Sequence, residues 1–134
     1  LGWVCIKNQI DIVTIIFYLG AIFWTLGFDT IYGYQDIKDD EIIGIKSTSI
    51  KFKKNPKLFL KICYLIFIIS LITVGFFMNF NTIFYLFIII PILHLFFNQI
   101  YNFNFKNPKN SLRVFKSNNL LGLIILFNIL IAKV

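Results

Sequence analysis

The sequence predicts an all-α protein, a polytopic transmembrane helix bundle with about four spans. Of its 134 residues, 58% are apolar and only 14% are charged, and 17 are phenylalanine. A soluble domain of this size could not hide so much apolar surface, because much of its volume lies close to water. The apolar residues also form long continuous runs, which are typical of segments that cross a bilayer.

Four apolar runs account for the predicted spans, at residues 12–28 (extendable to 33), 58–77, 83–97 and 120–132. Small residues at Gly20, Ala21 and Gly27 are of the kind that lets helices approach closely in a membrane. Pro56 is well placed to open the second span, and Pro91 is expected to bend or loosen the third. The fourth run is short, so we expect it to tilt at the bilayer edge or to be nearly cut off.

The basic residues predict the orientation of the chain. If the polar loops at 34–57 and 98–119 share one side, only Lys7 and Lys133 lie opposite. The eleven on that side are Lys38, Lys46, Lys51, Lys53, Lys54, Lys57, Lys61, Lys106, Lys109, Arg113 and Lys116. Such a side faces the cytoplasm of a bacterium or the matrix of a mitochondrion. The net charge of +7 therefore indicates a membrane surface, with no nucleic acid as partner.

Residues 28–50 contain five of the six acidic residues of the chain. Carboxylates at the end of a membrane helix are unfavourable unless a cation holds them there. If the first helix continued through this stretch, Asp29, Asp36 and Asp40 would lie within an arc of about 40° on one face, with Tyr32 to one side. Three unpaired carboxylates on one face repel each other, and a divalent cation would remove that repulsion.

The candidate ligands are all oxygens, which favours Mg²⁺ over Ca²⁺ and argues against Zn²⁺. Mg²⁺ held by one or two carboxylates keeps positions for substrate phosphates, and Lys46 or one of its neighbours would contact a diphosphate directly. An EF-hand is excluded because Lys38 would occupy the third position of the loop. From spacing alone a second interpretation stays open, a solvated loop in which Asp and Lys pair across turns.

The residue pattern of this stretch allows a more specific comparison with known protein families. Residues 29–48, DTIYGYQDIKDDEIIGIKST, strongly resemble the second Asp-rich motif of the UbiA family of intramembrane aromatic prenyltransferases. The pattern D-T-x-Y…D-x-x-D-D…G-I-K-S-T is similar to that of the 4-hydroxybenzoate polyprenyltransferase branch. A weaker pattern like the family's closing loop and last helix comprises Asn104, Pro108, Phe115, Asn118, Asn119 and Gly122.

The resemblance implies a bundle of about nine transmembrane helices with two Asp-rich motifs facing a central cavity. There Mg²⁺ binds a polyprenyl diphosphate, and the ring of an aromatic acid attacks the allylic carbon, here within ubiquinone synthesis. Carried over by position, Asp36 and Asp40 are the D-x-x-x-D pair and Asp29 heads the motif, all three as catalytic and metal-binding residues. Lys46 becomes the phosphate contact, and Tyr32 a substrate-binding residue whose role is open.

The first Asp-rich motif of the family, N-D-x-x-D, does not occur in the chain. We therefore expect residues 1–134 to be the C-terminal part of a single prenyltransferase domain, without turnover on its own. Two alternatives remain: another acceptor, such as haem, a naphthoate or a chlorophyll precursor, or a non-enzymatic cation-binding membrane protein. A transporter would place ionisable residues in several spans near the midplane, where this chain has only His94.

Overall fold

The computed structural model describes the backbone of residues 2–132 and the side chains of residues 5–132. All regular elements in this part of the chain are helices. They are α1 (Gly2–Lys7), α2 (Ile12–Gly33), α3 (Ile37–Ile43), α4 (Thr48–Lys51), α5 (Pro56–Phe77), α6 (Thr82–Phe87), α7 (Ile89–Leu93), a π-helix (His94–Tyr101), α8 (Pro108–Lys116) and α9 (Asn118–Ile131).

Four helical stretches are long and apolar enough to cross a membrane: Ile12–Gly33, Pro56–Phe77, Thr82–Tyr101 and Pro108–Ile131. The predicted number of spans is thus confirmed, and so is Pro56 as the first residue of its helix. The prediction of a short last segment was wrong. α8 begins at Pro108, inside the predicted polar loop, where the Asn107 side chain accepts the Asn110 N–H at 3.3 Å and caps the helix.

The third span is loosened at Pro91, as the sequence predicts. It consists of α6, α7 and the π-helix that follows the proline. Proline has no N–H for the helical ladder and its ring crowds the preceding turn, so the α-helix is interrupted at Ile88, just before Pro91, and α7 changes into a π-helix three residues after it. The result is a wider turn along His94–Tyr101, which brings the fully buried Gln99 into the core.

α2 and α5 pack closely because small residues line their contact. A Cβ added at Gly27 would lie 2.5 Å from the Tyr64 Cε1 atom, so no larger residue fits there without a shift. A Cβ added at Gly20 would come even closer to the Ser70 side chain, whose hydroxyl donates to the Ile16 carbonyl at 2.6 Å. The sequence prediction for Gly20 and Gly27 is therefore confirmed.

A buried polar network connects all four spans. The Tyr64 hydroxyl donates to the Gln99 Oε1 atom, and the Gln99 Nε2 donates to the Asn118 Oδ1 at 2.7 Å. The Trp24 indole N–H donates to the same Asn118 oxygen at 3.1 Å. Such interhelical hydrogen bonds satisfy polar groups that neither lipid nor the apolar core could satisfy, and they fix the helices relative to each other.

Candidate functional site at the Asp-rich turn

The first span ends just before the acidic residues, at Gly33. The Tyr34 N–H donates to the Ile31 carbonyl at 3.2 Å and the Gln35 N–H to the Tyr32 carbonyl at 2.8 Å, which tightens the last turn. The chain then turns, and α3 begins after Asp36. The single continuous helix supposed from the sequence is therefore not formed.

Tyr34 explains why the helix stops here. Its side chain is 1% exposed and packs edge-on against Phe103 and Phe105, with ring centroids 5.5 Å and 6.1 Å away. Both phenylalanines belong to the connection between the third and fourth spans. Packing the buried Tyr34 and Phe103 rings against each other and against the half-buried Phe105 removes a large apolar area from water, which favours a turn at this point.

The three predicted metal-binding residues fall on two helices. Asp29 is exposed near the end of α2, Asp36 is exposed at the start of α3, and Asp40 is half-buried one turn later. Among the described residues no group of three His, Cys, Asp or Glu side chains could hold a metal ion. The expected three-carboxylate stripe is thus not formed, because the helix on which it depended is interrupted at Tyr34.

Asp36 and Asp40 nevertheless belong to the same short helix, Asp36 as its N-cap and Asp40 in its first turn. Neither carboxylate has a hydrogen bond or ion pair with another residue in the described part of the chain. Mg²⁺ is commonly bound by one or two carboxylates, with water and phosphate oxygens at its other positions. The pair fits that mode of binding, although it does not form an all-protein cage.

The G-I-K-S-T segment begins with a residue that ends α3. Gly44 adopts the left-handed conformation, with φ of 80°, and its N–H donates to the Asp40 carbonyl. Glycine takes this conformation without the strain of a Cβ, so it is well suited to end a helix. Lys46 follows immediately and is exposed, and it makes no hydrogen bond or ion pair within residues 5–132. Its ammonium group is therefore available to an anion.

The rest of the segment fastens α4 to the end of α2. The hydroxyls of Thr48 and Thr30 are hydrogen-bonded at 2.7 Å, and Thr30 also donates to the Leu26 carbonyl at 2.6 Å. Gly33 allows the close approach, since a Cβ there would lie 2.7 Å from the Ser49 Oγ. α3 therefore connects two segments, the end of α2 and α4, that these contacts hold together.

Residues 34–41, which we call the acidic turn, lie at the same end of the molecule as Tyr32. Its side chain is 43% exposed, and its ring lies 4.8 Å from that of Phe115 on α8. Phe115 also contacts Phe28, with centroids 5.9 Å apart, so α2 and α8 meet through aromatic side chains. The predicted substrate-binding role of Tyr32 requires its exposed edge, which these contacts leave free.

A cavity of about 500 Å³ opens beside the acidic turn. We call it the turn cavity; it is lined by residues 34–39, Lys53, residues 105–106 and Pro108. Lys53 is already paired with Glu41, at 2.6 Å and 2.8 Å from its two oxygens. Lys38 and Lys106 make no ion pair within the described part of the chain.

Two residues that line the turn cavity each have a buried polar atom without a hydrogen-bond partner in the described structure, the Tyr34 hydroxyl and the Gln35 Oε1. Burial raises the pKa of Tyr34 to about 12, so the hydroxyl keeps its proton at neutral pH and can act as a donor. Sequence reasoning missed both residues. Nothing in the local pattern marks them, and the burial of Tyr34 depends on Phe103 and Phe105 from a distant loop.

Comparison with known protein families matches residues 1–126 to the UbiA prenyltransferase family. The chain belongs to this family. The match includes the acidic turn, the turn cavity and most of α9, so the features described above all lie within the UbiA region. No solved structure gives a significant match to the chain.

Curated UbiA relatives from animals and bacteria resemble nearly the whole chain. The mitochondrial 4-hydroxybenzoate polyprenyltransferase of Drosophila pseudoobscura pseudoobscura is 33% identical over 132 residues, covering 98% of this chain and 33% of its own length. That of Homo sapiens is 34% identical over 134 residues, covering 99% and 36%. The 4-hydroxybenzoate octaprenyltransferase of Francisella tularensis subsp. novicida (strain U112) is 37% identical over 122 residues, covering 90% and 42%. The chain therefore spans only a third to about two fifths of these relatives.

Proposed function

We propose that the protein carrying this chain transfers a polyprenyl group from a polyprenyl diphosphate to the ring of 4-hydroxybenzoate, in a Mg²⁺-dependent step of ubiquinone synthesis. The main support is that relatives in a fly, a mammal and a bacterium, all named for prenyl transfer to 4-hydroxybenzoate, match at least 90% of the chain. The carboxylates of Asp36 and Asp40, which have no partner in the described part of the chain, are a second, independent support.

In this reaction the bond between the allylic carbon and the diphosphate oxygen breaks, and a ring carbon of the acid forms a bond to that carbon. The ring then loses a proton, and negative charge builds up on the leaving diphosphate. Asp36 and Asp40 would hold Mg²⁺, and Asp29, near the end of α2, would be a further acidic residue of the same motif. When bound, Mg²⁺ supplies positive charge against the diphosphate, which stabilises the transition state more than the ground state.

Two other residues have roles that follow from their surroundings. Lys46 would contact the diphosphate directly, because its ammonium is exposed and has no partner in the described chain. Tyr32 would contact substrate with the exposed part of its side chain. The apolar spans would hold the polyprenyl tail in the lipid phase and keep water from the reactive allylic carbon.

The protein would be an integral protein of the bacterial inner membrane or the mitochondrial inner membrane. The two basic loops and the acidic turn would face the cytoplasm or the matrix, as the distribution of lysine indicates. A soluble aromatic acid could then reach the turn from the aqueous side, while the polyprenyl diphosphate arrives from the bilayer.

The test is prenyl transfer by the complete product of the gene that carries this chain, in membranes supplied with polyprenyl diphosphate, labelled 4-hydroxybenzoate and Mg²⁺. We expect product, and a loss of roughly a hundredfold or more in Asp36→Asn and in Asp40→Asn. Glu41→Gln makes the same chemical change on α3 at a surface carboxylate and should keep its activity. A lack of transfer by the unsubstituted protein, or full activity of Asp36→Asn, would contradict the proposal.

A further inference from the structure

We propose that the start of α5 and the end of the third span form a binding site for an anionic phospholipid, in which Lys57 and Lys61 hold the phosphate of the headgroup. Neither lysine lines the turn cavity or belongs to the acidic turn. The site takes no part in the proposed reaction, so it can be tested without prenyl donor or acceptor, and a failure of prenyl transfer would not affect the result.

The first argument comes from positive charge without a partner. Lys57 and Lys61 are four residues apart, so their side chains leave α5 on the same face. Both are exposed, and neither has an ion pair in the described part of the chain, whereas Lys53 is neutralised by Glu41. Lys61 lies within an apolar span, so its ammonium has to extend to the headgroup region, where a lipid phosphate is an available anion.

The second argument comes from the position of Lys57 between two spans. Its ammonium donates to the Tyr101 carbonyl at 3.1 Å, which joins the start of α5 to the end of the π-helix. An ammonium has three N–H donors, so two of them remain for a ligand. Because the protein already orders this side chain, binding costs less side-chain freedom. Basic sites between transmembrane helices are the kind that binds acidic lipid headgroups.

The third argument comes from the apolar surface next to the lysines. We call this surface the α5 stripe; its side chains are exposed and recur at helical spacing below Lys57, at Leu58, Ile62, Leu65 and Ile69. On the third span, Phe97 is exposed four residues before Tyr101. A phospholipid carries its phosphate and its acyl chains in the same order, so it matches the lysines and the stripe together. A free phosphate would match the lysines alone.

The test is equilibrium binding of fluorescently labelled phosphatidylglycerol to the complete gene product in a neutral detergent. Phosphatidylcholine with the same label is the comparison, because its headgroup has no net charge. We expect phosphatidylglycerol to bind more tightly, and Lys57→Gln and Lys61→Gln each to weaken its binding by about fivefold. Lys57→Arg and Lys61→Arg keep the charge and should bind like the unsubstituted protein.

Lys109→Gln and Lys116→Gln on α8 are the matched controls. They remove the same charge from the other basic loop, and the affinity for phosphatidylglycerol should not change. Equal losses from α8 and α5 variants would overturn the proposal, because the attraction would then belong to the basic surface as a whole. Lys61 has no hydrogen bond within the described chain, so Lys61→Gln decides the question even if Lys57→Gln fails to fold.

Competition distinguishes a lipid from other occupants. Excess inorganic phosphate at constant ionic strength should leave the labelled phosphatidylglycerol bound, since phosphate makes no contact with the α5 stripe. Full displacement by phosphate would overturn the proposal and indicate a simple anion site. Equal binding of the two lipids would also overturn it, and is the result expected if another segment of the gene product or another protein covers the stripe.

Discussion

At the scale of single residues, Tyr34 has two effects on the site. Its buried ring ends α2, which separates Asp29 from the pair at Asp36 and Asp40. Its hydroxyl is buried without a hydrogen-bond partner in the described part of the chain. Both effects depend on the ring and hydroxyl being removed from water, and that burial can be measured through the ionisation of the phenol.

We predict that Tyr34 makes folding stability sensitive to alkaline pH. Its pKa is about 12 in the folded protein, against an ordinary value of 10.0, because burial disfavours the phenolate. Between these values the unfolded chain loses the proton while the folded chain keeps it, so stability present below pH 10 is lost as the pH rises toward 12. The Tm of the unsubstituted protein should therefore fall more steeply above pH 10 than that of Tyr34→Phe.

The difference between the two Tm curves isolates Tyr34, because both proteins share every other titrating group. Tyr101→Phe is the matched control, since its side chain is 76% exposed, and its curve should run parallel to that of the unsubstituted protein. Parallel curves for Tyr34→Phe as well would show that the hydroxyl of Tyr34 is not buried in the folded protein.

At the scale of helices, the sequence predicts the spans well and their ends poorly. Long apolar runs identify α2, α5 and the third span because a bilayer requires such runs whatever the tertiary packing. The sequence analysis missed the beginning of the last span because its first helix, α8, has a polar face. Lys109, Arg113 and Lys116 recur at helical spacing in α8, while Ser111 and Val114 between them are buried. An amphipathic helix of this kind resembles a polar loop when only its composition is considered.

The acidic turn shows the same limit within the candidate site. The residue pattern of 29–48 was enough to recognise the motif. The predicted arrangement of its carboxylates on one face, however, assumed a continuous helix, and the helix is interrupted at Tyr34. The burial of Tyr34 depends on Phe103 and Phe105, which are distant in sequence. Local spacing could not reveal that contact, so it predicted the residue types of the site and not their arrangement.

The contact between α2 and α5 gives a prediction at this scale. Gly27→Ala should destabilise the protein by about 1–3 kcal/mol, because its Cβ would lie 2.5 Å from Tyr64 and must displace a ring that is hydrogen-bonded to Gln99. Gly122→Ala is the matched control on α9. There the nearest atom, in Trp24, is 3.7 Å from the new Cβ, and the better helix propensity of alanine should stabilise the protein by up to about 1 kcal/mol.

Unfolding of both variants in the same detergent measures the two effects together. Equal stability of Gly27→Ala and Gly122→Ala would mean that α2 and α5 are not in close contact at Gly27. A specific loss in Gly27→Ala that is relieved by Tyr64→Phe would instead indicate that the hydrogen bond to Gln99 holds the ring in place.

At the scale of the whole molecule, the two basic loops lie at one end of the bundle. Tyr34 in the first loop contacts Phe103 in the second, and the Lys57 ammonium donates to the Tyr101 carbonyl at 3.1 Å. At the other end, the Asn81 side chain donates to the Ile131 carbonyl at 3.0 Å and joins the short connection to the end of α9. These contacts agree with the prediction from the sequence that both long loops lie on one side.

This arrangement predicts which residues face the cytoplasm or matrix. Eleven of the thirteen basic residues lie in or next to the two loops, and such loops are retained on the side where the protein is inserted. In a variant without Cys5 and Cys63, a cysteine at the exposed position of Asn79 should react with a membrane-impermeant maleimide in intact bacterial spheroplasts or mitoplasts. A cysteine at Lys54 should react only after the membrane is permeabilised.

The cysteine-free protein is the control for background labelling. The opposite labelling pattern would put the acidic turn on the outer face, where the proposed acceptor would have to be supplied from outside the cell or from the intermembrane space. The orientation therefore bears on the reaction itself: with Lys54 inside, Asp36, Lys46 and the turn cavity all open toward the compartment in which a soluble aromatic acid would be supplied.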